Sequence, residues 1–514
     1  MSVEIGAELS LADVVAVADG APVGFGDEAR ARVGQAHEVV ARAVESGELV
    51  YGVTTGFGAL ADTRIDAAQA AELQHGIIRS HATAVGSPLS REETRAMLLL
   101  RAHVLALGHS GVRAELIDLM VRMLNEDVIP AVPQQGSLGA SGDLAPLANL
   151  ALPLIGHGSV LSPEGGVEAA GPAFARAGLS PMSLQAKEGL ALVNGTQGML
   201  AIGILACHRA ARLARTADVV AAMTIEAALG TDAPFDERLQ RLRPHPGQNV
   251  SASNLRRLLA GSPILASHRD SHHLVQDAYS LRCAPQVHGA TRDALAYATE
   301  VLRIEAGSVS DNPIVLPGGG DVDDEIRAGG NFHGQPVAVA MDTVATALVS
   351  LASISERRLY RLLDAKQNNE LPAFLVHGSG LNSGFMLVQY TAASLVSESK
   401  SLAHPASVDS IPSSAGQEDH VSMGMTSARH ARDVVTNAEI VVALEALGAA
   451  QALDLRSPLE PGAATRAAHD AIRARVPFFA ADREFGPDIN DAVSLVRDGV
   501  LIAAAERAMD GALD

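Results

Sequence analysis

The sequence predicts a mainly α-helical protein, a long central helical bundle with a smaller mixed N-terminal portion. Three observations predict it. The 514 residues are 47% hydrophobic and 19% charged but only 3% aromatic, without Trp, so Ala, Leu and Val must fill a large core. Such a composition favours helix, because Ala loses no side-chain entropy there. Long stretches carry helical periodicity, and strand signals are few.

In chain order, residues 49–55 (LVYGVTT) form one short strand candidate. Segments 91–107 and 113–125 read as amphipathic helices broken at Ser110-Gly111, and Pro130 and Pro133 close that region. Segment 161–171 reads as a surface loop. Segment 309–316 with its Gly-rich sequel reads as a turn-bounded hairpin, and 316–330 otherwise as loop. Residues 336–365 read as one long helix with Pro336 near its first turn, where a missing N–H costs little. Residues 383–402 and 434–455 are two more, and long antiparallel helices pack as a bundle. No repeat and no low-complexity linker divides the chain, so residues 1–514 are expected to form a single unit.

Charge and cysteine content narrow the function classes. A net charge of -20 repels phosphate backbones and argues against nucleic acid as a partner. Cys207 and Cys283 are no disulfide framework, and no basic residue precedes Arg30, so a cytoplasmic location is expected. The tempting membrane stretch, 189–207, contains Asn194, Thr196 and Gln197 and reads as a buried helix. The His-rich run SHRDSHH (267–273) has no metal-ligand spacing, so no metal is expected.

The most informative segment is GSLGASGDLAPLA (136–148), a Gly/Ser-rich loop leading into a helix with Asp143 as a possible cap. It is not a phosphate loop, because no Lys-Ser/Thr follows the last Gly. Ala-Ser-Gly alone is ordinarily a turn. Its context is more specific: YGVTTGFGAL (51–60), RSHATAVG (79–86), EGLALVNGT (188–196), RPHPGQ (243–248), VQDAYSLRCAPQVHGA (275–290), NFHGQPVA (331–338) and SIPSSAGQEDHVSMG (410–424). Together these blocks resemble the aromatic amino acid lyase family, in its histidine-type form, over nearly the whole chain.

The resemblance implies a cofactor made from the chain, with none supplied from outside. The Gly142 nitrogen closes on the Ala140 carbonyl carbon and Ser141 loses its hydroxyl, giving 4-methylideneimidazol-5-one. Gly lacks a Cβ and can approach closely in a strained turn, and Ser has a hydroxyl to eliminate. The implied reaction is loss of ammonia from L-histidine to give trans-urocanate.

Site roles follow residue by residue from the resemblance. Tyr51 is the base for the β-proton; a phenol titrates near ~10, so a tyrosine base needs an electropositive site to act near neutrality. Arg282 holds the substrate carboxylate, a task suited to a planar guanidinium. Gln276 and Tyr279, six and three residues earlier, share a face with it if the segment is helical, and contact substrate and electrophile. Asn194 touches the carboxylate end and Phe332 packs beside the electrophile. Ser80-His81 and Glu418 are the histidine-type choices. A buried His and a carboxylate pair with an imidazole, whereas a phenyl ring leaves both unpaired, at about 1–3 kcal/mol each. Those residues weigh against a phenylalanine or tyrosine ammonia-lyase or 2,3-aminomutase. The full set weighs against a catalytically silent helical scaffold, and a fumarase-like lyase lacks the Ala-Ser-Gly block. Whether Tyr51 or Glu418 takes the proton stays open, as does amine or ring as the group that meets the electrophile. The resemblance also implies a homotetramer with active sites shared between chains.

Overall fold

The computed structural model describes residues 2–47, 50–56, 69–271, 275–318, 323–378 and 380–514. Its helices fall into two compact units. One takes in 1–205, 299–342 and 405–429; the other takes in 206–298, 343–404 and 430–514. Four boundaries between these segments fall inside long helices: Gln197–Ala227, Ala284–Ala306, Gln335–Leu363 and Gly424–Leu455.

The first unit is the mixed one. Its strands make four two-stranded sheets among the described residues. One is parallel, Val3–Ile5 with Val23–Phe25, and the rest are antiparallel. At its centre lies helix Arg91–Ala106. Ser90 starts it with a capping box, its hydroxyl taking the Glu93 N–H while the Glu93 carboxylate takes the Ser90 N–H. The helix is not amphipathic as expected: every residue from Glu93 to Ala106 is buried. Helices Leu11–Ala18, Asp27–Ser46 and Ala114–Asn125 and strand Val3–Ile5 surround it. Arg95, Arg101 and His103 are therefore buried with it.

In the second unit, parts of the four long helices share one buried polar network. Glu445 accepts from Arg358 through both oxygens and from Thr224 and Ser355 at 2.7 and 2.6 Å. Asp218 accepts from Ser251 and Arg292 and bonds the His288 ring at 2.7 Å. Buried carboxylates are tolerated because every oxygen finds a donor.

Several expected elements shift. Residues 50–55 form a turn, not a strand, because threonine hydroxyls take backbone donors: Val50 N–H bonds Thr54 Oγ1 at 2.9 Å and Gly52 N–H bonds Thr55 Oγ1 at 3.2 Å. Leu49 and residues 57–60 of that block lie outside the described residues. The 161–171 loop is a hairpin turn joining Ser159–Leu161 to Val167–Ala169, with a helix from Ala170. The hairpin expected at 309–316 begins at Ile314 and pairs with Glu325–Arg327; residues 319–322 between them lie outside the described set. The last long helix starts at Gly424, ten residues before Val434. The stretch 189–207 is two helices broken at Asn194–Thr196. Among the described residues, helix Gln335–Leu363 is long and apolar enough to cross a membrane, but 61% of its apolar window is buried inside the protein.

Candidate active site

All of the following site lies in the first unit. Segment 139–143 is a tight turn with positive φ at Gly139, Ser141 and Gly142 (79, 50 and 82°). Gly142 N–H bonds Gly139 O at 3.3 Å, and two bonds fasten the turn to Gly195: Gly195 N–H to Ser141 O at 3.2 Å and Asp143 N–H to Gly195 O at 2.7 Å. A Cβ on Gly142 would stand 2.0 Å from the Gly195 carbonyl oxygen, so position 142 admits only glycine.

Asp143 precedes helix Leu144–Ala151, but its side chain does not cap that helix. Its fully buried carboxylate instead takes Met199 N–H, in the first turn of Gln197–Ala227, at 2.8 Å and Ser137 Oγ–H at 3.0 Å. Desolvation pushes this acid up to about 6 against those bonds.

Around the turn is a cavity of about 460 Å³ that Tyr51, Ala140, Ser141, Phe332 and Glu418 line. A second, of about 260 Å³, is lined by Ser80, His81, Ala140, Gly142, Ser413 and Glu418. Ala140 and Glu418 face both. Glu418 is braced by Ser413, whose hydroxyl donates to Oε2 at 2.9 Å while the two backbones bridge. Ser80 Oγ lies 3.0 Å from His81 Nδ1, which leaves Nε2 for another partner. Burial lowers the His81 pKa, and the charge of Glu418 works the other way. The ring therefore stays neutral near pH 7, with one donor and one acceptor.

Asn194 is buried beside the turn. Its Nδ2 donates to Asn312 O at 2.8 Å, and its Oδ1 has no hydrogen-bond partner among the described residues. Unexpected lining residues are Asn312, His333 and His420; the His333 and His420 rings lie 5.8 Å apart. Both histidines sit in blocks already singled out, one residue after Phe332 and two after Glu418, and that adjacency was the available signal.

Gln276, Tyr279 and Arg282 belong to the second unit and line neither cavity. They do not share one helix face, because helix Tyr279–Arg282 has four residues and Ala278 before it is extended. Tyr279 is 72% exposed, and the Arg282 guanidinium lies over its ring at 4.7 Å. Gln276 lines a separate cavity with His268 and Asp277. His272 and His273 of the His-rich run lie outside the described residues. Among the described residues, no group of three or more His, Cys, Asp or Glu could hold a metal ion.

The aromatic amino acid lyase family model matches residues 9–474. The chain belongs to the aromatic amino acid lyase family. It is 54% identical to a histidine ammonia-lyase of Sorangium cellulosum, over 98% of this chain and 99% of that one. It is 53% identical to a histidine ammonia-lyase of Symbiobacterium thermophilum over 98% of each chain. Among solved structures it resembles the Trypanosoma cruzi histidine ammonia-lyase (TM-score 0.90, 41% identity, 99% of this chain and 96% of that one). It also resembles a tyrosine aminomutase from Streptomyces globisporus (TM-score 0.93, 39% identity, all of both chains). Proteins of this fold thus carry more than one named activity.

Proposed function

We propose that the chain eliminates ammonia from L-histidine to give trans-urocanate, as a cytoplasmic homotetramer with shared sites. The family match runs through segments of both units, so the reading is of the whole chain as one lyase. The observation that carries it is that His81 and Glu418 line one cavity together with Ala140. A neutral imidazole and a carboxylate suit the donor and acceptor of a substrate imidazole, and a phenyl or phenol ring would leave at least one of them unpaired.

The turn fits conversion of Ala140-Ser141-Gly142 to 4-methylideneimidazol-5-one. It holds Ser141 and Gly142 at positive φ and leaves no room for a Cβ at 142. Once formed, that group supplies an electrophilic methylene beside the bound substrate. The remaining work falls to side chains. Tyr51, on the same cavity as Ser141, takes the β-proton. Glu418 and His81 orient the imidazole, Asn194 meets the carboxylate end and Phe332 closes the apolar side. Arg282 clamps the carboxylate, with Tyr279 and Gln276 beside it, all three supplied by a neighbouring copy. The exposure of Gln276 and Tyr279, and a half-buried Arg282 whose Nε has no hydrogen-bond partner among the described residues, support that assignment.

The test is incubation of the pure protein with L-histidine, L-phenylalanine and L-tyrosine separately, following ultraviolet absorbance of the conjugated acid. Product from histidine alone is expected. Faster product from either other amino acid overturns the substrate assignment. The purified chain should also be lighter than its encoded mass by two waters at 140–142.

A further inference from the structure

Arg101 sits on the buried helix Arg91–Ala106 and has no exposed surface. Its Nη1 donates to Asn194 O at 2.8 Å and to Gln197 Oε1 at 2.7 Å. Its Nε and Nη2 are buried and have no hydrogen-bond partner among the described residues. The neighbouring carboxylate, Asp311, is already bonded to the buried Lys187 at 2.7 Å. Desolvation brings the guanidinium down to about 10 against the favourable field of Asp311. A buried cation left so poorly paired is costly, and an apolar side chain of similar volume would burden folding less.

What the charge holds gives the reason for it. Its two acceptors bracket Gly195, the residue on which the 139–143 turn is docked. The same peptide is tied from another side, Asn194 to Asn312 O and Gln197 to Ser310 Oγ, both at 2.8 Å. There is no slack: a Cβ on Gly195 would meet Gln197 Oε1 at 2.5 Å and Arg101 Nη1 at 2.6 Å.

We infer that Arg101 is a positioning residue for self-cyclisation: it fixes Asn194–Gln197, hence Gly195, hence the backbone of Ser141 and Gly142. The inference rests on reading 140–142 as the cofactor precursor. In that reaction the Gly142 nitrogen bonds the Ala140 carbonyl carbon. The carbonyl oxygen leaves as water with the Gly142 and Ser141 amide hydrogens. The Ser141 hydroxyl leaves as a second water with the Cα hydrogen. No oxidant is consumed.

The experiment compares full-length wild type, Arg101→Met and Arg101→Lys by helical circular dichroism, thermal unfolding and the mass of the peptide containing 140–142. Wild type should be lighter by two waters throughout. Arg101→Met should keep the helical signal and unfolding temperature while most of its peptide retains the encoded mass. Arg101→Lys keeps the charge but reaches fewer acceptors, and should cyclise partially. Complete, wild-type-rate water loss in Arg101→Met overturns the inference. So does complete loss in Arg101→Lys if the Met variant does not fold. If neither folds, Arg101 serves the fold and the inference falls. If wild type itself keeps its encoded mass, the precursor reading has failed instead, and the two failures are distinguishable.

Discussion

The segments 137–143 and 275–282 both serve the reaction on the proposed reading, yet the protein treats them differently. The first is bonded into its own unit at every step: Gly195 takes the backbone, Asp143 reaches Met199, and Ser137 bonds Asp143. The second exposes some side chains and buries others, Asp277 and Leu281 among them. Val275 is fully exposed, Tyr279 is 72% exposed, and Asp277 anchors the segment by accepting Thr231 N–H. The lesson concerns preorganisation. On the proposed reading, a turn that reacts with itself needs its strain held by its own chain. A clamp for a substrate carboxylate can be offered to another copy, provided its backbone is fixed.

Removing the reactive group should have the largest effect. Ser141→Ala leaves the bonds of the turn in place but has no hydroxyl to lose. We expect kcat for histidine to fall by on the order of 10³-fold or more, as when an essential catalytic group is deleted. Circular dichroism should show unchanged helix. Retention of more than a tenth of the activity would break the comparison, since the turn would then be ordinary structure.

The next test is on the exposed segment. On the proposed reading Arg282→Ala removes a charged contact worth about 3 kcal/mol in all, so kcat/KM should drop roughly 10²-fold with stability unchanged. Co-expressed with Ser141→Ala, the two inactive chains should form mixed tetramers that recover activity, because some sites pair a sound electrophile with a sound clamp. Isolated mixed tetramers as inactive as their parents would place both groups in one chain.

These two segments also show what could be read from the residues. Helix Arg91–Ala106 was legible to within a residue because its helical periodicity runs from 91 and the Ser110-Gly111 break follows its end. That it is buried all round was not, since Glu93, Arg95, Arg101 and His103 are residue types that ordinarily face solvent. The turn at 50–55 was misread because Val and Thr favour strands, whereas local hydroxyl bonds decided it. The early start of Gly424–Leu455 was hidden by polar residues whose intervening Met425, Ala428 and Ala431 are buried. Of the site, the turn and its cavity neighbours Tyr51, Phe332 and Glu418 were legible as blocks. Asp143 bonding Met199, and Arg101 bonding Asn194 and Gln197, were not, because they join residues 56 and about a hundred positions apart.

A smaller loss is expected at the substrate ring. Glu418→Gln keeps the shape and the Ser413 contact but removes the charge that the proposed function sets opposite the imidazole. A change of about 1–3 kcal/mol, or roughly 5- to 150-fold in kcat/KM for histidine, should follow, with the unfolding temperature unaltered. Unchanged histidine kinetics would remove the main residue-level support for the substrate.

The smallest effect is a pH dependence of stability centred on His81. Its folded pKa lies below the ordinary value of 6.5, chiefly because burial disfavours the charged ring. Above 6.5 the ring is neutral folded and unfolded, and the shift contributes nothing to the pH slope. As pH falls below 6.5 the unfolded chain takes up the proton first, so stability is lost until the folded pKa is passed. Replacing the ring with a group that does not titrate removes that contribution. The unfolding temperature of His81→Leu should therefore fall less than that of wild type between pH 7 and pH 5, whatever its absolute value. Glu418 sharpens the test, because its charge opposes the desolvation of His81. In Glu418→Gln that support is gone, the folded pKa drops further, and the acid-side loss should steepen. Parallel curves for wild type and His81→Leu would mean that the ring is solvated and free to charge. Burial would then have no part in keeping it neutral beside a substrate imidazole.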